Sequence, residues 1–202
     1  MVVAPKDVIE KWEGDVLRRA LGIKDVGVCH GSRRETGARV VLTTYDTLKA
    51  RLEDFRGPWT VVVMDEVQRA KNFGSQRHKA LRQVLSGAKH RLGLSATPWE
   101  NSLDELWTIV DLLSPGFLGH RKAFAEYIGK PFLEGDAEAE AALLSLLSLV
   151  LLQRTYRDVE DELGELALPP KRERAERVPL SEEQAALYEA ILETYSERPL
   201  GL

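Results

Sequence analysis

Two adjacent carboxylates, Asp65 and Glu66, follow directly on the apolar run VVVM (Val61–Met64). A short run rich in β-branched residues predicts a strand covered on both faces, as in a parallel sheet flanked by helices. Carboxylates at the carboxyl end of such a strand can divide two tasks. One holds Mg²⁺, and the other polarises a water attacking a γ-phosphate. The competing reading is an acidic pair at a solvated strand–loop junction, and the pair by itself does not decide between them.

Three more predicted strands end in polar signatures. VVA (Val2–Ala4) runs into Pro5-Lys6, RVVL (Arg39–Leu42) into Thr43-Thr44, and RLGL (Arg91–Leu94) into Ser95-Ala96-Thr97-Pro98. VGVC (Val26–Cys29) predicts a fifth strand, and helices are expected over about Asp7–Leu21, Thr47–Leu52 and Gln76–Leu85. Alternating β and α predicts a doubly wound α/β layer. Such layers bind ligands at the carboxyl ends of their strands, so the four signatures are expected to share one edge.

Beyond Pro98 the pattern turns helical. Ser102 with Glu105 forms a capping box ahead of an apolar stripe at Leu103, Leu106, Trp107, Ile109, Val110 and Leu113. AALLSLLSLVLL (Ala141–Leu152) predicts a buried helix, with acidic residues before it that suit a helix N-terminus. Pro169-Pro170 breaks any helix, and Ser181 with Gln184 caps a final one near Glu182–Glu197.

Composition narrows the classes. With 202 residues, 44% hydrophobic, the chain can build one good core plus an appendage. A formal charge of −4 gives no global argument for nucleic acid. Between Glu66 and Arg91, however, the basic residues Arg69, Lys71, Arg77, Lys79, Arg82, Lys89 and Arg91 face Glu66 alone. That stretch either meets phosphates or is a solvated helix face. Cys29 is the one cysteine, so the chain forms no internal disulfide, which fits a reducing compartment. The run Ala141–Leu152 is too short to span a bilayer.

Taken in order, VVAPKDVIEKWEGDV, VLTTYDTL, MDEVQ and LSATPWEN resemble the helicase-like ATPases of superfamily two, most closely the Swi/Snf chromatin-remodelling family. NSLDELWTIVDLLSPGFLG, LLQRTYRDVEDEL and LPPKRERAERVPLSEEQAALYEAI extend the resemblance over nearly the whole chain. It implies a RecA-like parallel sheet flanked by helices, followed by a mostly helical C-terminal segment. Residues 1–100 would be a partial first lobe, 101–165 its helical extension, and 166–202 a linker and helix leading to a second lobe. Because the chain opens on a strand, we expect that sheet to be truncated at its N-terminus.

The resemblance also implies roles. Asp65 would bind Mg²⁺ through water and Glu66 would be the catalytic base, with Gln68 beside them at the ATP site. Ser95, Ala96 and Thr97 would couple nucleotide state to the grip on DNA. Pro5, Lys6 and Trp12 match one DNA-facing motif, and Thr43, Thr44 and Tyr45 match another. Lysine, hydroxyls and amides suit phosphate contacts that carry no sequence information. From the residues alone, the threonines are ordinary strand composition. Trp12, Trp59, Trp99 and Trp107 read as core packing. His30, Arg33 and Arg34 lie in a loop where the family also has basic residues.

Two departures matter. The family pattern D-E-x-H reads Asp65-Glu66-Val67-Gln68 here, and Gln, unlike His, does not titrate near neutral pH. Arg154 and Thr155 match part of an R-R-x-K segment in which Gln153 and Arg157 replace the first Arg and the Lys. The 202 residues also contain no G-x-x-x-x-G-K-[ST] loop; Gly22 to Gly27 comes nearest, but Val28 and Cys29 follow it. Mg²⁺ and ATP are therefore expected to serve an intact parent, with neither held tightly by this chain alone.

Expected partners are double-stranded DNA in the parent, a missing lobe or complementary chain, and a second copy through an exposed sheet edge. No membrane is expected, and the compartment would be the cytoplasm, or the nucleus in a eukaryote. The alternatives are a non-catalytic DNA- or partner-binding module and one half of a split ATPase. A metal-dependent nuclease fits least, because no further acids at strand ends complete a two-metal cage.

Overall fold

The computed structural model describes residues 1–97, 102–154, 174–176 and 178–196. Pro98, Trp99, Thr155, Arg157, Pro169 and Pro170, singled out above, lie outside them. The chain divides into two units, Met1–Leu152 and Gln153–Leu202.

The first unit is built on a mixed, mostly parallel sheet flanked by helices. Its strands are β1 (Val2–Ala4), β2 (Val26–His30), β3 (Arg33–Arg34), β4 (Val40–Thr44), β5 (Val61–Asp65) and β6 (His90–Leu94), in the spatial order β3-β2-β4-β1-β5-β6. All pairings are parallel except that of β3 with β2. The expected strands are present. β3 is an addition, because two exposed arginines carry no strand pattern; the left-handed backbone of Gly31 (φ 62°) supplies its turn.

Helices cover both faces. On one side Val3, Val62 and Met64 pack against Leu81 and Leu85 of α3 (Gln76–Ser86) and Ile109 and Leu112 of α4 (Leu103–Leu113). Gly93 permits this approach, since a side-chain carbon there would lie 2.9 Å from Leu113 Cδ1. On the other side Val2, Ala4, Val28 and Leu42 meet Ile9 and Leu17 of α1, which runs Ile9–Lys11 and continues, wound more widely, as Trp12–Ala20. Full burial of such aliphatic side chains contributes roughly 1.5–3 kcal/mol each.

A surface clasp fastens α1. Arg33 bonds Glu13 at 3.0 Å and Glu35 at 3.1 Å, and Glu35 accepts the Val28 amide. The guanidinium holds both carboxyls below the usual carboxylate range. The covering stops short of β6: Leu92 and Leu94 are 54% and 44% exposed, and among the described residues β6 has no strand on its outer edge.

A helical region follows: α5 (Arg121–Phe124), the wider-wound Ala125–Gly129, α6 (Lys130–Leu133) and α7 (Ala137–Ser148). It packs Phe124, Leu143 and Leu147 against Leu106 and Trp107 of α4. The helix expected over Ala141–Leu152 is displaced toward the N-terminus. Asp136 caps α7 by accepting from the Glu138 and Ala139 amides, and the helix ends at Ser148, leaving Leu149 and Leu152 exposed. Leu143 and Leu147, four apart, form its narrow buried face. In the second unit α8 (Glu182–Ser196) has its capping box: Ser181 Oγ accepts the Gln184 amide, and Gln184 Oε1 accepts the Ser181 amide. Among the described residues no helix is long and apolar enough to cross a membrane.

His78 of α3 is only 2% exposed. Its Nδ1 accepts the Gly74 amide, while Nε2 has no partner among the described residues. Burial lowers its pKa; Arg82 and Arg121 act in the same direction and Asp111 opposes them. Below a pH of about 6.5 the unfolded chain therefore takes up a proton that the folded chain resists. Stability is expected to decline as pH falls from neutral toward 5.5, by at most about 1.4 kcal/mol per pH unit from this one group. Urea unfolding across that range measures it. His78→Phe should flatten the slope, and an unchanged slope would show that His78 is not its source.

Candidate functional site

Parallel pairing brings the four polar signatures to one edge. Ala4 pairs with Thr44, Val3 with Met64 and Asp65 with Leu94, so Pro5-Lys6, Thr44-Tyr45, Asp65-Glu66 and Ser95 emerge side by side.

Asp65 is held at two points. Its Oδ2 accepts the indole N–H of Trp12 at 2.7 Å, and its backbone carbonyl accepts the Tyr45 hydroxyl at 2.8 Å. Burial, and then the Asp65 charge, push the Tyr45 phenol up, so it remains a donor. Glu66 turns the chain out of β5 with φ 53° and ψ 54°, the one described non-glycine residue at positive φ. A left-handed residue with a β-carbon costs roughly 1–2 kcal/mol. Gln68 Nε2 donates to Glu66 Oε2, while Gln68 Oε1 is buried without a partner among the described residues.

These residues open on a cleft of about 300 Å³ lined by Pro5, Asp7, Val8, Asp65, Glu66, Gln68 and Arg69. Among the described residues no cluster of three or more His, Cys, Asp or Glu side chains could hold a metal by itself. Asp65 Oδ1 and Glu66 Oε1, which accept no hydrogen bond among the described residues, fit an ion that keeps its waters and shares phosphate oxygens, as Mg²⁺ does. Ser95 Oγ accepts the Thr97 amide at 3.0 Å, and Ala96 is exposed between them.

A second cleft of about 330 Å³ adjoins the first across Pro5, Asp7 and Arg69. It contains Lys6, His30, Thr44, Tyr45 and Arg51. The side chains expected to face DNA are mostly occupied here. Thr43 is fully buried and donates to the Cys29 carbonyl. Thr44 caps α2 (Tyr45–Ala50), accepting the Thr47 amide and donating to the Thr47 hydroxyl. Tyr45, 3% exposed, braces Asp65 from within, and Pro5 is buried. Of that group Lys6 is exposed.

The motif reading missed Arg51, whose Nη2 donates to the Gly31 carbonyl and whose Nη1 is buried without a partner among the described residues. A lone arginine at a helix end carries no sequence signal. His30 reaches the cleft, with its Nδ1 3.2 Å from Thr47 Oγ1, whereas Arg33 is committed to the clasp. The basic stretch is also partly neutralised: Arg77 pairs with Asp46, Lys71 with Glu105 and Arg82 with Asp111.

The three described tryptophans do pack, but each also uses its N–H; Trp99 lies outside the described residues. Trp59 donates to the Phe55 carbonyl, Trp107 to the Gly119 carbonyl and Trp12 to Asp65.

Comparison with known proteins identifies the family of the chain and the fold of its first unit. A family model described as SNF2-related domain matches residues 1–198. The chain is 35% identical over 203 residues to the putative ATP-dependent helicase/translocase YwqA of Bacillus subtilis, covering 95% of this chain and 21% of that protein. It is 34% identical over 187 residues to the TATA-binding protein-associated factor BTAF1 of Arabidopsis thaliana, covering 82% and 9%. The Sulfolobus solfataricus SWI2/SNF2 ATPase core in complex with dsDNA superposes with a TM-score of 0.72 at 31% identity, over 97% of this chain and 41% of that one. The chain thus spans about a fifth or less of the length of these curated relatives.

Tyr45→Phe keeps the buried ring and removes the donor to the Asp65 carbonyl. We expect it to lower stability by about 1–3 kcal/mol. Urea unfolding of the two chains side by side decides this; equal midpoints would remove Tyr45 as a brace.

Proposed function

This chain belongs to the SNF2-related domain family, and from that membership we propose that it supplies the metal-and-water half of an ATP-hydrolysing centre in a DNA translocase of the chromatin-remodelling type. Mg²⁺ would offset the phosphate charge during transfer. Asp65 would hold the ion through water at Oδ1, Glu66 would accept a proton from the attacking water, and Gln68 would keep Glu66 turned toward the cleft. The observation that carries this reading is the left-handed backbone of Glu66 beside Asp65. Such strain gathers at working sites.

Ser95, Ala96 and Thr97 would report nucleotide state along β6, a role supported by the register of Leu94 with Asp65. Duplex DNA would run along the neighbouring cleft. There Lys6, Arg51 and Arg69 would meet phosphates, while Pro5, Thr43, Thr44 and Tyr45 would shape the wall. DNA affinity is then expected to fall linearly, log against log, between about 50 and 200 mM salt. Lys6→Ala should reduce the slope by about one unit. Anisotropy of a labelled duplex measures both, and salt-independent binding would refute the assignment.

The phosphates themselves need a cradle that these 202 residues do not contain. We propose that polypeptide carrying the phosphate loop completes the centre, which makes this chain one half of a shared ATPase site. The uncovered Leu92 and Leu94 and the edge of β6, unpaired among the described residues, support such a completion. The purified chain, with or without duplex DNA, is accordingly expected to turn over no more ATP than its Glu66→Gln variant. Turnover that depends on Glu66 would instead show that the chain is an enzyme by itself. Salt-sensitive DNA binding with no nucleotide effect, even in a completed assembly, would favour a non-catalytic binding module.

A further inference from the structure

Trp12 and Asp65 are 53 residues apart, yet the indole N–H and carboxylate Oδ2 meet at 2.7 Å, and Asp65 lines the cleft. The ring is fixed by packing in the cluster of Val2, Ile9 and Leu17, with Val63 alongside. Trp59 and Trp107 satisfy their N–H groups with backbone carbonyls, the ordinary solution for a packed tryptophan. Among the described tryptophans, Trp12 alone donates to an ionisable side chain.

An indole donates and cannot accept, so it binds a carboxylate oxygen without competing for a cation. With one lone pair of Oδ2 engaged by the indole, chelation through both Asp65 oxygens is disfavoured relative to binding through Oδ1. A single exposed oxygen suits Mg²⁺, which keeps a near-octahedral shell and gives up its waters reluctantly. The Tyr45 hydroxyl fixes the main chain of the same residue, so Oδ1 cannot swing away by a backbone shift.

We propose that Trp12 is a positioning residue for the metal station: its N–H occupies Asp65 Oδ2 and presents Oδ1 alone to the ion. The proposal rests on reading Asp65 as that station, and its test separates the two. Mn²⁺ replaces Mg²⁺ as a paramagnetic probe that broadens nearby NMR resonances even when binding is weak. In the ¹⁵N-labelled 202-residue chain, Mn²⁺ should broaden the Trp12 indole signal at concentrations that leave those of Trp59 and Trp107 sharp. Excess Mg²⁺ should restore it, and Asp65→Asn should abolish the effect. In Trp12→Phe the Glu66 and Val67 amide signals should need about tenfold more Mn²⁺ for the same broadening, the usual scale for losing a partner that orients a metal ligand.

If Trp12→Phe and the wild type need equal Mn²⁺ while Asp65→Asn still removes the effect, Trp12 is only packing and the proposal falls by itself. If no broadening depends on Asp65, the metal reading fails and takes the proposal with it. Should Trp12→Phe not fold, the wild-type chain decides. An indole N–H that shifts with Mg²⁺, and not in Asp65→Asn, supports the proposal; one indifferent to Mg²⁺ overturns it.

Discussion

A slip of one residue between β5 and β1 would lift Val62 and Met64 out of the core under α3 and α4 and turn Asp65 to the opposite face. The buried side chains of β5 therefore fix where the carboxylate points. The same holds along β4, β1 and β6, whose parallel pairing gives each strand end one shared direction. Hydrophobic burial sets the register, the register sets the edge, and the edge gathers side chains from four distant parts of the chain. Gly93 extends the constraint outward, since a β-carbon there would lie 2.9 Å from Leu113 Cδ1 and force that side chain of α4 to shift.

At that edge the structure tolerates costs that the core offsets. Glu66 holds an unfavourable backbone conformation and buried Gln68 Oε1 has no partner among the described residues, each a matter of about 1–3 kcal/mol. Both lie within three residues of one another, between two fully buried anchors, Met64 and Ala70. Costs concentrated in this way mark a segment shaped for something other than stability.

The strands were legible because apolar runs bounded by polar signatures have few other uses, and the edge followed from the alternation of strand and helix. The motif residues Asp65, Glu66 and Gln68 were legible as neighbours, and the structure places them around one cleft. What stayed hidden was commitment. Thr43, Thr44 and Tyr45 look like available hydroxyls in the sequence, but burial at a strand end obliges each to find a protein partner. Packing was the right expectation for Trp12 and captured only half its role, because the acceptor of its N–H lies far along the chain. The ion pairs within the basic run from Arg69 to Arg91 were hidden for the same reason. Asp46, Glu105 and Asp111 sit outside that window and return to it in space.

The clasp of Glu13, Arg33 and Glu35 anchors the helix that carries Trp12, and it is made of surface charges. Exposed ion pairs contribute about 1 kcal/mol or less and weaken as electrolyte is added. The electrolyte around this chain is therefore not a passive background. The ions that would compete for a polyanion in the cleft would also loosen the fastening of α1, and with it the indole that grips Asp65. Two quantities usually treated as separate, the hold on a charged ligand and the shape of the holder, are here tuned by one variable.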